Sequence, residues 1–439
     1  MILILVPSVS NRITYTFNLI FKELLKKEFR VTTSHEEFNE WSGAKFYYGD
    51  LPLNGKNSDH LFFCSTGLLF EKHIVEKEPE LFDWNGYKVF FKTSSGDLPF
   101  DVFSAAFYLV SRYEEYLPHR KDSHGRFRPE QSIAFKGGFL EKPMVNIWAS
   151  EIRRLIQEKF PEETFTDPLY SFTPTLDIDN AYAYKNKGIL RSGFSLASRL
   201  MKGQFRRFVK RLKVHVGINE DPYDTFQKQK KIHQAYNLKP NYFFLLGDYG
   251  RFDKNISFKN RQLRSLIRSI DDNADIGIHP SYKSNQITEK VAVEKRRLEE
   301  ILGRKVFKSR QHYIKLIFPD TYTNLINAGI REDYSMGYAS KSGFRASICS
   351  SFYFYNLLTD QITDLRIYPF AIMDSTLKHY LKLRSRDVVS HVKPIVDEVK
   401  KVGGNFIFIF HNESLSNQRE WKNWGDMYER IIRLASDRL

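Results

Sequence analysis

Apolar runs broken by polar residues divide the first third of the chain into predicted strands and helices. The runs Ile2–Val6 and Lys45–Tyr48 predict strands because they are short and mostly apolar or aromatic. The apolar spacing over Thr16–Glu28, Asp101–Tyr116 and Asn146–Lys159 predicts helices. The aromatic face of the middle helix is predicted to be core. This part of the chain is therefore expected to form a small α/β domain.

A proline-bearing, acidic stretch at Phe160–Pro168 follows, and it predicts a domain boundary. We place an N-terminal α/β domain of unknown role at residues 1–165 and a second domain at residues 166–439. In the second domain, amphipathic helices such as Glu289–Leu302 and Asp320–Ala328 separate short apolar runs. Those runs predict strands at Phe172–Asp177, Tyr242–Leu246, Asp275–His279, Phe307–Ile314, Arg331–Met336, Ile367–Ile372 and Asn405–His411.

Strands that alternate with helices usually pair in parallel. About seven such units predict an α/β fold with a distorted (β/α) barrel, closed or nearly closed, and a doubly wound sheet is the alternative. In such a barrel the carboxyl ends of the strands share one face, where active sites are built. The polar residues predicted at or near these ends are Asp177, Asp179, His279, His312 and His411.

The acidic pair Asp177 and Asp179 is the most informative feature of the chain. Residues two apart on an extended segment point to the same face, so the two carboxylates lie close together. Two like charges at that distance favour a bound cation or a shared proton. The pair therefore indicates a metal site with a general base beside it.

The chain is strongly basic, with a formal net charge of +15 over 439 residues. Ten Lys or Arg residues and no acidic residue lie in Lys185–Lys213, which predicts a basic amphipathic helix. Peripheral membrane contact, or a glycan that is anionic or lipid-linked, would fit this segment. No sequence signature supports a nucleic-acid partner.

The remaining composition is that of an ordinary folded protein, with 42% hydrophobic and 15% aromatic residues. The two cysteines, Cys64 and Cys349, lack partners at metal-site spacing and are predicted to be buried thiols. Neither a signal-peptide pattern nor a long apolar run is present, so a cytoplasmic protein is expected. Peripheral binding at the inner membrane surface is compatible with this location. The nine histidines other than His279, His312 and His411 are predicted to be surface residues.

Four segments carry a resemblance to a known family: Thr175–Asp179, His279–Ser281, Arg310–Tyr313 and Phe408–His411. They resemble the successive motifs of the polysaccharide deacetylases (NodB-homology family, carbohydrate esterase family four), over about Ser171–Leu439. The resemblance implies a distorted (β/α) barrel that holds a divalent metal, most often zinc. By layout, the first 160 residues resemble an uncharacterised domain that precedes this barrel in some bacterial members.

The resemblance also implies catalytic roles for four residues. Asp177 would be the general base and His411 the general acid that protonates the departing amine. Arg310 would orient Asp177 and hold it ionised, and the backbone N–H of Tyr313 would stabilise the tetrahedral oxyanion. The expected reaction is removal of an N-acetyl group from a glycan or amino-sugar precursor.

The metal-ligand motif departs from the family pattern at one position. Asp179 and His279 would be ligands, but Lys283 stands where the family has a second histidine. Three outcomes are open: His312 replaces the missing ligand, the metal binds through Asp179 and His279 with waters, or no metal binds. The last outcome gives a catalytically lapsed barrel that binds glycan or scaffolds polysaccharide assembly. A hydrolase of other C–N bonds, such as those of cyclic amides, is a third class.

Overall fold

The computed structural model of the protein describes residues 1–53, 59–186 and 205–437. Most of the basic segment predicted at Lys185–Lys213 lies outside the described residues, so its membrane contact stays a prediction. Among the described helices, none combines the length and the apolar character needed to cross a membrane.

A four-stranded parallel sheet organises the N-terminal part of the chain. Its strands are β1 (Ile2–Leu5), β2 (Phe29–Thr32), β3 (Lys45–Gly49) and β4 (Leu61–Cys64), in the order β2-β1-β3-β4. The predicted strands in this region are confirmed. β1, β3 and β4 are buried along their whole length, which is why they are continuous apolar runs rather than alternating ones.

The first predicted helix starts earlier and ends earlier than the sequence pattern indicated. Ser10 caps an α-helix at Asn11–Phe17 by accepting the N–H of Ile13, and the chain continues as a π-helical turn at Asn18–Leu24. A short hairpin, β5 (Phe82–Trp84) and β6 (Tyr87–Val89), precedes the next helix. Asp101 caps that helix, Val102–Val110. The predicted aromatic core face is confirmed, because Phe103, Phe107, Tyr108 and Tyr113 are all buried.

A nine-stranded sheet forms the second part of the chain, in the order β12-β13-β11-β10-β9-β8-β7-β15-β14. The pairs are parallel except for β12 with β13. The strands are β7 (Ser171–Ile178), β8 (Asn241–Phe244), β9 (Asp275–Ile278), β10 (Lys308–Ser309), β11 (Glu332–Asp333), β12 (Phe352–Asn356), β13 (Gln361–Ile367), β14 (Ile372–Met373) and β15 (Asn405–His411).

The remaining described helices flank these sheets or connect their strands. The α-helices are Ile133–Lys136, Met144–Lys159, Phe205–His215, Phe226–Ala235, Arg261–Asp271, Glu289–Leu302, Asp320–Asn327, Ser385–Lys401 and Trp424–Ser436, together with His35–Glu40 in the N-terminal part. The helix Glu289–Leu302 ends at Gly303, whose left-handed conformation (φ 71°) closes the helix.

The strand predictions for the second part need correction in three places. The strand predicted at Phe307–Ile314 is observed only at Lys308–Ser309, and the one predicted at Arg331–Met336 only at Glu332–Asp333. The single strand predicted at Ile367–Ile372 is replaced by two separate strands, which end at Ile367 and begin at Ile372. Parallel β-sheet organisation is present. However, no pairing among the described strands joins β12 to β14, so closure into a barrel is not confirmed.

One continuous apolar core connects the two parts. The same buried cluster extends from Ile2 and Phe46 of the N-terminal sheet to Phe352 and Ile367 of the large sheet. Cys64 and Cys349 are both free and buried, as predicted. The contact between the two parts places an N-terminal loop beside the carboxyl edge of the large sheet.

Candidate metal centre and cavity

The carboxyl ends of neighbouring strands bring the predicted polar residues together at one edge of the large sheet. The consecutive neighbours β10, β9, β8, β7, β15 and β14 end at this edge. His411, the last residue of β15, is in register with Asp177 of β7. His279 follows β9, and Asp179 follows β7. The parallel pairing is what makes these separate ends meet.

Three side chains at this edge converge on one point. The carboxylate of Asp179 lies between two imidazoles: Oδ1 is 3.2 Å from His279 Nε2, and Oδ2 is 3.3 Å from His312 Nε2. One ligand atom from each residue lies within 4.8 Å of the other two. In a tetrahedral zinc site with bonds of about 2 Å, ligand atoms are about 3.3 Å apart. The spacing therefore fits a small divalent cation.

The hydrogen bonds behind the two rings support the same interpretation. His279 Nδ1 donates to the carbonyl of Arg310 at 2.6 Å, and His312 Nδ1 donates to Asp253 Oδ1 at 3.0 Å. A neutral ring with a proton on Nδ1 presents a lone pair at Nε2, as a metal ligand must. Asp179 Oδ1 is buried and accepts no hydrogen bond, although His279 Nε2 is close. With both rings in this neutral form, two lone pairs and a carboxylate oxygen would face one point, an arrangement suited to a cation.

The charges of this cluster are strongly coupled. Burial alone would lower the pKa of His312, but Asp179 and Asp253 outweigh it and raise the pKa to about 9. Burial would raise the pKa of Asp179, yet His312, His279 and His411 hold it well below its usual range. The pocket therefore favours a negative carboxylate with positive charge beside it, the arrangement that a bound cation would also satisfy.

Asp177 and His411 lie beside this cluster, and each is held by a buried partner. Arg310 Nη1 donates to Asp177 Oδ1 at 3.1 Å. His411 Nδ1 donates to Asp374 Oδ1 at 2.8 Å, and the His411 backbone N–H donates to Asp374 Oδ2 at 2.7 Å. His411 Nε2 then faces the cluster, 4.0 Å from Asp179 Oδ2. Two polar groups with fixed orientations therefore border the candidate metal position.

Arg310 is a fully buried guanidinium whose neighbours restrict it to one pose. It donates to the Tyr334 carbonyl at 2.9 Å and to Thr175 Oγ1 at 2.6 Å, and it lies 4.6 Å from the centre of the Phe243 ring. Burial lowers its pKa, and the Asp177 charge opposes that shift. Because three hydrogen bonds fix the group, Asp177 is held in one orientation.

The predicted strand at Phe307–Ile314 is wrong because the chain turns sharply after Ser309. His312 opens a short helical turn in which Tyr313 (φ 62°) and Ile314 (φ 51°) are both left-handed. Such residues cost of order 1 kcal/mol or more each, and they persist where surrounding contacts hold them. Here Arg126 donates to the Tyr313 carbonyl at 2.7 Å. The turn, rather than strand alternation, points His312 at Asp179.

Lys283 is placed away from the cluster. It lies in the turn Tyr282–Asn285, its side chain is exposed, and its Cε and Nζ lie near Gly250. The position where the family pattern has a histidine therefore does not face the three candidate ligands. His312 instead lies beside Asp179 and His279, as it must if it replaces the missing histidine ligand.

A cavity of about 450 Å³ opens over the cluster and contains all the predicted site residues except Arg310 in its lining. The chain pattern gave no signal for Asp253 and Arg126, because both are in loops between elements. The other lining residues that the prediction missed are Asn180, Phe252, Lys254, Ile314, Ala339, Met373, Ser375, His379, Tyr380 and Glu413.

One histidine that was predicted to be a surface residue, His233, is buried and bonded to the Tyr428 hydroxyl at 2.6 Å. His124 is half-buried, and its ring packs on Tyr313 with centroids 4.8 Å apart. His379 is exposed, as predicted, and also lines the cavity. Nothing in the sequence context of His233 distinguished it from an exposed histidine.

Comparison with known proteins matches the N-terminal part to a protein family. Residues 2–161 match a family of unknown function (DUF7033). No curated protein matches the chain.

The solved structures with detectable similarity are distant. A candidate polysaccharide deacetylase from Mycobacterium smegmatis is 12% identical, with a TM-score of 0.40, over 62% of this chain and 86% of that one. A candidate polysaccharide deacetylase from Pseudomonas aeruginosa PAO1 is 12% identical, with a TM-score of 0.38, over 61% of this chain and 85% of that one. A family 4 carbohydrate esterase pseudoenzyme from Bacillus anthracis is 10% identical, with a TM-score of 0.25, over 62% of this chain and 68% of that one. At these scores an activity has to be argued from the residues of the site itself.

Proposed function

We propose that the protein is a metal-dependent hydrolase that removes N-acetyl groups from a glycan or amino-sugar precursor. One observation carries the proposal: the Asp179, His279 and His312 ligand atoms converge within 4.8 Å, and a buried carboxylate and a third imidazole border them. Hydrolysis of an amide needs an activated water and a proton for the departing amine. This arrangement offers a residue for each.

Asp179, His279 and His312 would hold the metal, and a set of one carboxylate and two imidazoles favours a zinc ion. When bound, such an ion supplies Lewis-acid polarisation of the acetyl carbonyl and acidifies a water. Asp253 and the Arg310 carbonyl would keep both rings in the tautomer that ligation requires. The residues present fit this group.

Asp177 would take the proton of the attacking water. Arg310 orients its carboxylate through the hydrogen bond to Oδ1, and burial protects it from competing solvent contacts. The water oxygen forms a bond to the acetyl carbon, and the carbon–nitrogen bond then breaks. His411, oriented by Asp374, would give its proton to the departing nitrogen. The products are acetate and a free amino sugar.

The backbone N–H of Tyr313 would stabilise the oxyanion that forms between these two steps. The aromatic rings of Phe252, Tyr313 and Tyr380 in the cavity lining support a sugar ligand, because sugar rings bury their C–H faces on aromatic surfaces. We also propose that residues 166–439 form a distorted barrel and that residues 1–165 form the N-terminal domain.

The first test is metal content together with acetate release. We expect near-stoichiometric zinc in the purified protein, and none in Asp179→Ala and His312→Ala, because each variant removes one of three ligands. Acetate release from N-acetylated chito-oligosaccharides should be lost in both variants. Lys283→Ala is the matched control, since its exposed side chain lies away from the cluster and its zinc should be retained.

Three results would change the proposal. Zinc lost in Asp179→Ala but retained in His312→Ala would remove His312 from the ligand set. Absence of metal even after reconstitution would leave a glycan-binding or scaffolding protein. Hydrolysis of small cyclic imides without acetate release would move the protein to another class of C–N hydrolase.

A further inference from the structure

One wall of the cavity comes from the N-terminal part of the chain. Arg126 lies in the loop between the short helical turns Tyr113–Glu115 and Pro129–Gln131, far in sequence from the motifs of the site. The residue is 7% exposed and lines the same cavity as Asp179 and His312. A buried arginine at a candidate active site needs partners for its five N–H groups.

Three partners in different parts of the chain fix the Arg126 guanidinium. Nε donates to Asp122 Oδ2 at 2.7 Å within its own loop. Nη1 donates to the Tyr313 carbonyl at 2.7 Å, and Nη2 donates to the Tyr380 hydroxyl at 3.2 Å. The planar fork of arginine can serve three directions at once, which a lysine ammonium on a flexible chain does poorly.

The loop that carries Arg126 is itself braced. Asp122 Oδ1 accepts the backbone N–H groups of His124 and Arg126 at 2.8 and 2.9 Å. The Asp122 N–H donates to the Arg126 carbonyl at 2.9 Å, and the Gly125 N–H donates to the Asp122 carbonyl at 2.9 Å. These hydrogen bonds to Asp122 fix the backbone of residues 122–126, and so they fix the position from which the Arg126 side chain enters the cavity.

Ring contacts add a second link between this loop and the site. The His124 imidazole packs on Tyr313, and its Nδ1 lies 3.4 Å from the Tyr282 hydroxyl. Phe252 packs on Tyr282 with centroids 4.2 Å apart and on Tyr313 at 5.7 Å. The loop therefore closes an aromatic wall against the turn that holds His312.

Tyr313 is the residue that this wall supports, and its backbone has an unfavourable conformation. Its φ of 62° and that of Ile314 at 51° place two successive side-chain-bearing residues in the left-handed region. The conformation turns the Tyr313 carbonyl toward Arg126, whose charge-assisted hydrogen bond stabilises it. Without that bond the left-handed conformation of the turn is less stable. We therefore expect the turn to change conformation and the N–H of Tyr313 to move.

We infer that Arg126 is a positioning residue of the hydrolytic site, so that the N-terminal part of the chain completes the active site of the second part. The inference rests on the proposed function for its catalytic consequence, but the anchoring of the turn stands on geometry alone. Arg126 acts through Tyr313, without contact to the reacting atoms.

The test compares Arg126→Gln and Arg126→Lys with Arg128→Gln. Arg128 is a matched control in the same loop, since it is exposed, it pairs only loosely with Glu130 at 3.9 Å, and it does not line the cavity. Hydrogen–deuterium exchange of the segment 311–316 measures the anchoring of the turn. Zinc content and the kinetics of acetate release are measured on the same full-length preparations.

We expect exchange in segment 311–316 to become about tenfold faster in Arg126→Gln, because a buried charge-assisted hydrogen bond is lost. The kcat for acetate release, expressed per bound zinc, should fall about 10- to 100-fold with little change in KM, as displaced transition-state contacts require. Arg126→Lys should show the same effects, although smaller. Arg128→Gln should match the unmodified protein.

The outcomes separate this inference from the proposed function. Faster exchange in a protein that hydrolyses no acetylated sugar supports the anchoring by Arg126 and overturns the hydrolytic function. Unchanged exchange in both Arg126 variants overturns the inference whatever the activity. Faster exchange with an unchanged kcat also overturns the positioning role. If Arg126→Gln does not fold, Arg126→Lys decides between these results.

Discussion

The three histidines of the site share one structural device. His279, His312 and His411 each have Nδ1 bonded to a fixed acceptor, which is a backbone carbonyl for the first and a carboxylate for the other two. In each ring Nε2 is then the atom that faces Asp179. The proposed proton donor His411 differs from the proposed ligands His279 and His312 in distance, because its Nε2 lies farther from Asp179.

Asp177 and Asp179 are neighbours with different expected functions, and a substitution can separate them. Asp177→Asn keeps the shape of the side chain and its contact with Arg310, but removes the basic oxygen. We expect kcat for acetate release to fall about 10²- to 10⁴-fold with zinc content unchanged, because a general base contributes that much. Steady-state kinetics with metal analysis on the same sample checks this.

Asp179→Asn is the matched comparison, since the same chemical change at a ligand should reduce zinc as well as activity. Loss of zinc in Asp177→Asn would place that carboxylate among the ligands and contradict its role as a base. Full activity in Asp177→Asn would remove it from the reaction.

The hydrophobic pattern predicted site residues that end or directly follow apolar runs, and the resemblance to a known family added Arg310, His312 and Tyr313. Asp177, His279 and His411 stand at such ends, and parallel pairing brings them together. Asp253 and Arg126 lie in loops whose course depends on contacts with distant residues. No periodic pattern marks such positions, which is why the two residues that orient His312 and the Tyr313 turn were not predicted.

At the level of elements, short strands were the hardest to predict. β10 and β11 have two residues each, although the apolar and polar pattern extends further on both sides. Asp333, in register with Ser309 of the neighbouring strand, accepts the hydroxyls of Ser309 and Ser335 and the backbone N–H of Ser335, and the chain turns out of the sheet after β11. A pattern of local hydrophobicity holds no information about such partners.

A buried carboxyl group links the helix Glu289–Leu302 to the turn after β9. Glu294 accepts the Ser281 N–H at 2.8 Å and the Ser281 hydroxyl at 2.6 Å. Burial raises the pKa of Glu294 to about 7, from an ordinary value near 4.5. The folded protein therefore binds a proton here that the unfolded chain releases at lower pH.

The free energy of unfolding should consequently fall as the pH rises from about 4.5 to about 7. Stability from the neutral carboxyl is fully present below the unfolded pKa and is lost as the pH passes the folded pKa. A shift of this size corresponds to about 3 kcal/mol. In Glu294→Gln this pH dependence should be weaker, as urea unfolding at several pH values between 5 and 7 would measure.

Glu300→Gln, on an exposed part of the same helix, is the control and should leave the pH dependence as it is. Equal slopes in Glu294→Gln and the unmodified protein would show that Glu294 is ionised in the fold throughout this range.

At the scale of the whole molecule, a buried ion network connects the two parts of the chain. Glu115, from the N-terminal part, accepts Arg112 Nε at 2.8 Å and Arg345 Nε at 2.8 Å. Arg112 also donates to the Arg345 carbonyl and to the Tyr338 hydroxyl. All three charged groups are almost fully buried. Together with the shared apolar core, this network should make the two parts unfold together.

The Glu115 carboxylate contacts both guanidiniums, and the two arginines hold its pKa below the usual range against the effect of burial. Glu115→Gln would leave two buried positive charges without this compensation, so we expect the free energy of unfolding to fall by about 3–5 kcal/mol. Glu158→Gln, in an exposed pair with Arg154, should change it by less than about 1 kcal/mol. Chemical denaturation followed by fluorescence measures both variants. A small effect at Glu115, or separate transitions for the two parts, would mean that the apolar core and not the network couples them.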